Sequence, residues 1–435
     1  MSSQPSALQQ KSNSDQSGVS TPLRFVTAAS LFDGHDAAIN VMRRMIQGTG
    51  AEVVHLGHNR GVDDVVRAAI QEDADAIAIS SYQGGHMEYF SFMLQRLKEN
   101  NASHIKIFGG GGGTITLDEI AQLEAEGVEK IYHPTHGMKM GLVGMIEDLV
   151  ARAREHRVDG FQPPEVNKDS DISVAQMISL IEEGGLDEAE LTRLKKTWQL
   201  AAGDTPVLGI TGTGGAGKSS SVDELLGRFL QQRPDMRIAV LAVDPTRRRT
   251  GGALLGDRIR MNILSSDNIY MRSIATRRQH LATSEMLGDI TLFLKSLAYD
   301  LILVETAGIG QSDSEIVDLV DFSLYIMTSD YGAASQLEKI DMIDYADMVI
   351  LNKYDRRGAE DALRDIRKQW QRNHNTFDVA AEDIPVYPTI ASQFNDPGVN
   401  HAFRNLCRLM VERNDLDSSV WLAESPIAAG GEATE

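Results

Sequence analysis

Cysteine is nearly absent from these 435 residues. Cys407 stands alone, so no disulfide closes within the chain, and its apolar helical surroundings predict a buried thiol. Long apolar runs are missing too, which excludes a membrane-spanning helix. No charged-then-apolar segment opens the sequence, so no secretory signal is read and the cytoplasm is the expected compartment. Positive charge is the scarce sign. The 42 Lys and Arg against 62 Asp and Glu leave a formal charge of −20, which argues against nucleic acid as a principal partner. The 42 % of apolar residues is ordinary and can fill the cores of two or three domains.

The most informative stretch runs from Val207 to Ser221, VLGITGTGGAGKSSS. An apolar strand, Val207–Ile210, breaks into a glycine-dense loop, and Gly212, Gly217, Lys218 and Ser219 fit G-x-x-x-x-G-K-[ST], the P-loop. Such glycines let backbone N–H groups converge on a β-phosphate, with the following helix directing its positive end at the same anion. The expected phosphate cradle is Gly212, Gly214, Gly215, Ala216, Gly217, Lys218, Ser219 and Ser220. Lys218 reaches the β- and γ-phosphates and Ser219 sits on Mg²⁺.

Read in order, residues 1–20 are Ser- and Gln-rich without apolar period and predict a disordered tail. From Arg24, strands and helices alternate through five repeats to about Arg154, which predicts a doubly wound, five-stranded parallel sheet over residues 21–157. Residues 158–204 predict a linker with two amphipathic helices, Ile172–Glu183 and Leu186–Leu200. Residues 205–416 predict a second α/β domain, and 417–435 a tail.

Three loops at the carboxyl ends of the first sheet carry polar and glycine signals: Asp33-Gly34-His35-Asp36, Ser80-Ser81-Tyr82 and Gly109 to Gly113. Together they resemble the cobalamin-binding domain of the methionine synthase and acyl-CoA mutase families, with its D-x-H-x-x-G, S-x-L and G-G signature. The fold implied is flavodoxin-like. The resemblance implies that His35 is the lower cobalt ligand and that Asp33 bonds its other ring nitrogen. It also implies a nucleotide tail lying along Ser80, Tyr82, Gly109, Gly110 and Gly111. Ala38 and Tyr82 depart from the signature, standing where it has Gly and Leu. His55, His86, His133 and His136 read as surface or hydrogen-bonded side chains.

In the second domain, Asp244 ends a strand, Asp257 lies in GGALLGDRIRM, and Glu305-Thr306-Ala307-Gly308 ends another strand. Asn352-Lys353-Tyr354-Asp355 matches N-K-x-D. Asp355 can accept two hydrogen bonds from guanine, Asn352 can bond the base edge, and the Lys353 stem can cover the ring, so GTP is selected over ATP. Ser392 is a further candidate base contact. The stretches AVDPTRRRTGGALLGDRIRM and ETAGIGQSD resemble the chaperones of cobalamin-dependent mutases, the methylmalonyl-CoA mutase accessory family. That resemblance implies Mg²⁺ held by Ser219, Asp244 and Asp257 with Glu305 nearby, and a signalling switch over Gln336–Asp341. Lys218, Glu305 and Gln311 are the candidate catalytic groups. Ile309 occupies the usual place of a water-positioning Gln, which predicts slow hydrolysis that a partner accelerates.

A cobalamin domain, a helical arm and this GTPase, in that order, resemble the fused isobutyryl-CoA mutase family, whose members continue into an acyl-CoA-binding TIM barrel. The resemblance implies adenosylcobalamin and GTP/GDP as cofactors and a mutase barrel as partner, either a missing segment or a separate subunit. It further implies an adenosyltransferase that delivers cobalamin, and a homodimer. After Trp421 the sequence leaves no room for eight βα units, so GTP hydrolysis and cobalamin binding are expected without isomerase activity. Two rivals stay open. A metallochaperone GTPase predicts His- or Cys-rich clusters, and a non-catalytic cobalamin sensor predicts GTP turnover indifferent to cobalamin and to any barrel.

Overall fold

The computed structural model describes residues 21–34, 36–157, 163–246, 252–255, 257–276, 280–306, 315–331, 337–338, 340–414 and 416–422, and only the backbone of residues 36, 257, 280–282 and 315. The tail expected over residues 1–20 and the last residues, 423–435, lie outside the described residues.

The first half folds as its alternation predicts. Strands β1 (Arg24–Ser30), β2 (Glu52–Arg60), β3 (Ala76–Ser80), β4 (Lys106–Gly110) and β5 (Lys130–Tyr132) pair in parallel in the order β5-β4-β3-β1-β2. Their Val-, Ile- and Ala-rich spelling belongs to strands covered on both faces. Helices α2 (Val62–Gln71), α3 (His86–Glu99) and α4 (Leu117–Glu126) cover one face around Val66, Phe90 and Leu123. The other face is covered by α1 (Asp36–Gly48) and α5 (Pro134–Glu155) around Ile46, Phe108, Ile146 and Leu149. Helix α5 starts earlier than its sequence signals, because Pro134 takes the first helical position and His133 caps it. It breaks at Gly141, where φ is +71°.

The linker helices α6 (Asp171–Glu183) and α7 (Glu188–Ala201) are not a free-standing arm. Val174, Met177, Ile178 and Trp198 share one core with Val207, Leu241 and Phe293 of the second domain. Beyond them, β6 (Val207–Gly212) feeds α8 (Lys218–Gln232), followed by β7 (Ile238–Pro245). The two-residue strand β8 (Leu254–Leu255) and the eight-residue strand β9 (Ile269–Thr276) come next. Helix α9 (His280–Lys295) and strands β10 (Leu301–Thr306), β11 (Phe322–Met327), β12 (Met348–Asn352) and β13 (Val386–Thr389) complete the sequence of main elements. Seven strands pair in parallel in the order β13-β12-β11-β6-β10-β7-β9.

Two features depart from the sequence expectation. Strand β9 was not anticipated, and it forms the outer edge of the second sheet beside β7. Strand β8, reached only after the P-loop, leaves its own domain and becomes the sixth strand of the first sheet. It lies parallel to β2, with Val53 opposite Leu254 and Val54 opposite Leu255.

Ala253, Leu255 and Ala275 join the first domain's apolar core, and a buried cluster of charged side chains also marks the junction of the halves. Arg24 of β1 bonds Glu52 at 2.8 Å, Glu72 at 3.3 Å and Glu182 of α6 at 3.3 Å. Glu72 also holds Arg258 at 2.8 Å and the Ser273 hydroxyl at 2.8 Å, while Glu182 pairs with Arg272 in β9. Burial opposes the Arg24 charge, but Glu182, Glu52 and Glu72 outweigh it and hold the guanidinium pKa above its ordinary value. Carboxylates and guanidiniums here are nearly inaccessible to water, so each depends on its partners.

Candidate functional site: a cleft and a P-loop

The order in which strands are added to the sheet reverses between the parallel strands β1 and β3, which opens a crevice at their carboxyl ends. The Asp33 loop after β1 meets the loop that follows Ser80 of β3 there. The Tyr82 N–H donates to Asp33 Oδ2 at 2.8 Å, and Ser30 Oγ donates to Ser81 Oγ at 2.9 Å. Beneath these loops lies a cavity of about 300 Å³, lined by Ala38, Ile39, Ser80, Tyr82, Gly109 to Gly112, His133, Ile146 and Leu149 among others. It is mainly apolar, with a polar rim. Ser80 Oγ is buried there with no hydrogen-bond partner among the described residues. An elongated ligand with hydroxyl or phosphate groups fits this donor set and shape.

The two departures from the signature, Ala38 and Tyr82, both line the cavity. Gly109 to Gly112 of the glycine run line the cavity as well. A Cβ at Gly111 would lie 1.9 Å from the Ser81 carbonyl, so the close approach that demands glycine there is between two loops of the protein itself. Gly34 is exposed at the mouth, and the side chain of Asp36 and all of His35 lie outside the described residues. His55, His86, His133 and His136 are engaged as expected. His55 Nδ1 meets Thr27 Oγ1 at 3.0 Å, His86 Nδ1 meets the Gln83 carbonyl at 3.1 Å, and His133 and His136 bond one another's segment at the start of α5.

The second site is built on three neighbouring strands, β6, β10 and β7. The loop after β6 passes Gly214 and Gly215 and enters α8 through Gly217, where φ is +93° and no side chain caps the helix. The first N–H groups of α8 are therefore directed at the loop interior. Lys218 Nζ lies over the Gly212 and Thr213 carbonyls at 3.0 and 3.5 Å. Thr213 Oγ1 and, at the end of β10, Thr306 Oγ1 are buried with no partner among the described residues, as oxygens aimed at a phosphate group would be. Ser219 Oγ donates to Glu305 Oε1 at 3.1 Å, and Asp244 lies one residue before the end of β7, the strand beside β10. A hydroxyl and two carboxylates are hard oxygen donors of the kind Mg²⁺ takes. Asp257 opens a short 3₁₀ turn with its side chain outside the described residues, and Gln311 and Gln336 lie outside them altogether.

Asn352 takes a role that its motif did not suggest. It is buried, its Nδ2 donates to the Ala216 carbonyl at 2.8 Å, and its Oδ1 accepts from Ala391 N–H at 3.0 Å and Thr389 Oγ1 at 3.2 Å. Its amide is thus engaged in tying the P-loop to the loop carrying Ser392, where the sequence suggested a bond to the base edge. Lys353 Nζ donates to the Gly215 carbonyl at 2.6 Å, which lays its stem across the gap between the loops. Asp355 and Ser392 are exposed on the loops that follow the paired strands β12 and β13. Among the described residues, no helix is long and apolar enough to cross a membrane.

Residues 174–396 match the family described as methylmalonyl Co-A mutase-associated GTPase MeaB, and residues 23–132 match the B12 binding domain. The chain belongs to the MeaB family. It carries that GTPase domain behind a B12-binding domain, as the resemblance implied. A fused isobutyryl-CoA mutase of Cupriavidus metallidurans is 53 % identical over 395 residues, covering 89 % of this chain and 36 % of the relative. One from Geobacillus kaustophilus is 52 % identical over 388 residues, with 88 % and 36 % covered. The GTPase ArgK of Escherichia coli is 32 % identical over 214 residues, covering 46 % of this chain and 64 % of its own. The chain spans about a third of the length of the fused relatives.

Proposed function

We propose that this chain is the cofactor-carrying and GTPase portion of an adenosylcobalamin-dependent mutase that interconverts isobutyryl-CoA and n-butyryl-CoA. The observation that carries the reading is one buried ion-pair cluster joining the domain that holds the cleft to the domain that holds the P-loop, in the domain order of the fused relatives. The working units are residues 21–157 for cobalamin, 158–204 as bridge and 205–416 for GTP, with 417–435 leading toward a mutase barrel. His35 would hold the cobalt, Asp33 would bond its other ring nitrogen, and the cavity under Ser80 and Tyr82 would take the nucleotide tail. Bound adenosylcobalamin supplies the Co–C bond whose homolysis starts the 1,2-rearrangement. The chain's own task is to hold the cofactor and exclude water from its tail.

In the GTPase half, Lys218 and the α8 N-terminus neutralise phosphate charge, while Ser219, Asp244, Asp257 and Glu305 hold Mg²⁺. Glu305 and Gln311 join Lys218 as the catalytic groups, and Asp355 reads guanine. GTP turnover then gates cofactor loading from an adenosyltransferase and ejection of damaged cofactor. The assembly is a cytoplasmic homodimer whose acyl-CoA-binding barrel completes the enzyme. The decisive experiment is the visible spectrum with adenosylcobalamin. Wild type is expected to give a histidine-ligated, base-off spectrum that His35→Ala loses. An unchanged spectrum in the variant sinks the cobalamin assignment, and equal hydrolysis of ATP and GTP sinks the guanine assignment.

A further inference from the structure

Strand β8 belongs to the GTPase by sequence and to the cobalamin domain by fold. On one side it is clamped to the cobalamin sheet. The Val53 N–H donates to the Ala253 carbonyl at 2.9 Å, and Gly252 approaches α1 so closely that a Cβ there would lie 2.4 Å from the Gln47 carbonyl and 2.7 Å from that of Ala51. Helix α1 runs from that contact to its start at Asp36, beside the cobalt-ligand loop. Its 13 residues form a rod about 20 Å long. A few residues on, buried Arg258 donates to Glu72 at 2.8 Å and to Gln71 at 3.0 Å, at the end of α2.

On its other side the same segment is held by the nucleotide domain. Asp223 lies one helical turn past Ser219 on α8. It accepts the Ile263 N–H at 2.9 Å and the Asn262 amide at 3.3 Å. One stretch of chain thus touches the P-loop helix at one end and the helix rising to the cobalamin loop at the other. The Gly252 and Arg258 anchors are buried and discrete and the Asp223 bonds are half-buried to exposed, so a shift at the cobalamin side must break or re-form contacts instead of being absorbed.

We infer that strand β8 and Arg258 are the connection through which the nucleotide site and the cobalamin cleft alter each other's affinity, with Arg258 a positioning residue and a ligand of neither. This rests on the reading that the two clefts bind cobalamin and guanine nucleotide. Linkage then requires the effect to be reciprocal: whatever factor separates cobalamin Kd with GTP and with GDP also separates the nucleotide affinities with and without cobalamin.

The test uses the full chain. Hydroxocobalamin is titrated by visible absorbance with saturating GDP or with a non-hydrolysable GTP analogue, each with Mg²⁺. The converse titration follows a fluorescent GDP. In wild type the two cobalamin Kd values should differ by at least about fivefold, the lower end of ordinary coupling. In Gly252→Val, whose side chain cannot fit against the two carbonyls, the ratio should fall below twofold while each ligand alone still binds within about threefold of wild type. Arg258→Met tests the same connection with a milder change, and circular dichroism checks that both variants are folded. A ratio preserved in a folded variant overturns the inference, as does a wild-type ratio of one with both ligands bound. Wild type that binds no cobalamin overturns the parent reading as well, and shows itself before any coupling is measured.

Discussion

Asn352 and Gly217 stand against each other beneath the nucleotide mouth: a Cβ at position 217 would lie 2.5 Å from Asn352 Nδ2. The glycine that opens α8 and the asparagine that ends β12 therefore pack as a unit, and the amide holds Ala216, Thr389 and Ala391 in one arrangement. Asn352→Ala leaves those buried groups without their partner, at about 1–3 kcal/mol. GDP affinity measured by calorimetry should fall about 10- to 100-fold, with the preference for guanine over adenine retained by Asp355.

Asp355 is the opposite case, exposed and free to meet a base. Asp355→Asn replaces an acceptor facing the guanine 2-amino group with a donor, and the 2-oxo group of xanthine matches that donor. Competition binding should show GDP weakened by about 100-fold and xanthosine diphosphate strengthened, since a buried mismatched polar pair costs about 2–3 kcal/mol.

Glu182 joins the halves by serving Arg24 and Arg272 at once. Glu182→Ala leaves two buried guanidiniums short of a counter-charge. Denaturant unfolding should show a loss of about 3–5 kcal/mol, against a smaller loss for Glu182→Gln, which keeps an acceptor.

Asp75 carries a pH dependence. Burial raises its pKa from 3.8 to about 6, although Arg157 and the Arg24 N–H pull it down. A carboxyl with a raised folded-state pKa stabilises the fold most when protonated. Its contribution is therefore full below about pH 4 and lost as pH rises through about 6. Relative to Asp75→Asn, wild type should lose up to about 3 kcal/mol across that window, readable from urea midpoints at pH 4, 5, 6 and 7. A constant difference between the two proteins would refute this assignment.

The P-loop and the three loops at the carboxyl ends of the first sheet were legible because their spelling is local. Glycines, Lys218 and Ser219 must follow a strand directly, and the Asp33, Ser80 and Gly109 loops must end theirs. Cys407 was equally legible, and burial in the core pushes its thiol up to about 12. Strand β9 was not, because IYMRSIAT places Arg272 in the middle of an apolar run, and that charge makes sense only beside Glu182 from the linker. Strand β8 is two residues long, too short to show any period, and its partner is two hundred residues away. The role of Asn352 is likewise set by groups from two distant loops, which no spacing rule reports.

The borrowed strand also changes what it means to divide this protein. Residues 21–157 look like a self-sufficient unit, yet without Leu254 and Leu255 the flank of β2 would present bare peptide groups to anything able to zip onto them. A fragment trimmed at the obvious hinge should clump through that flank, whereas the intact polypeptide keeps it sheathed with its own distant residues.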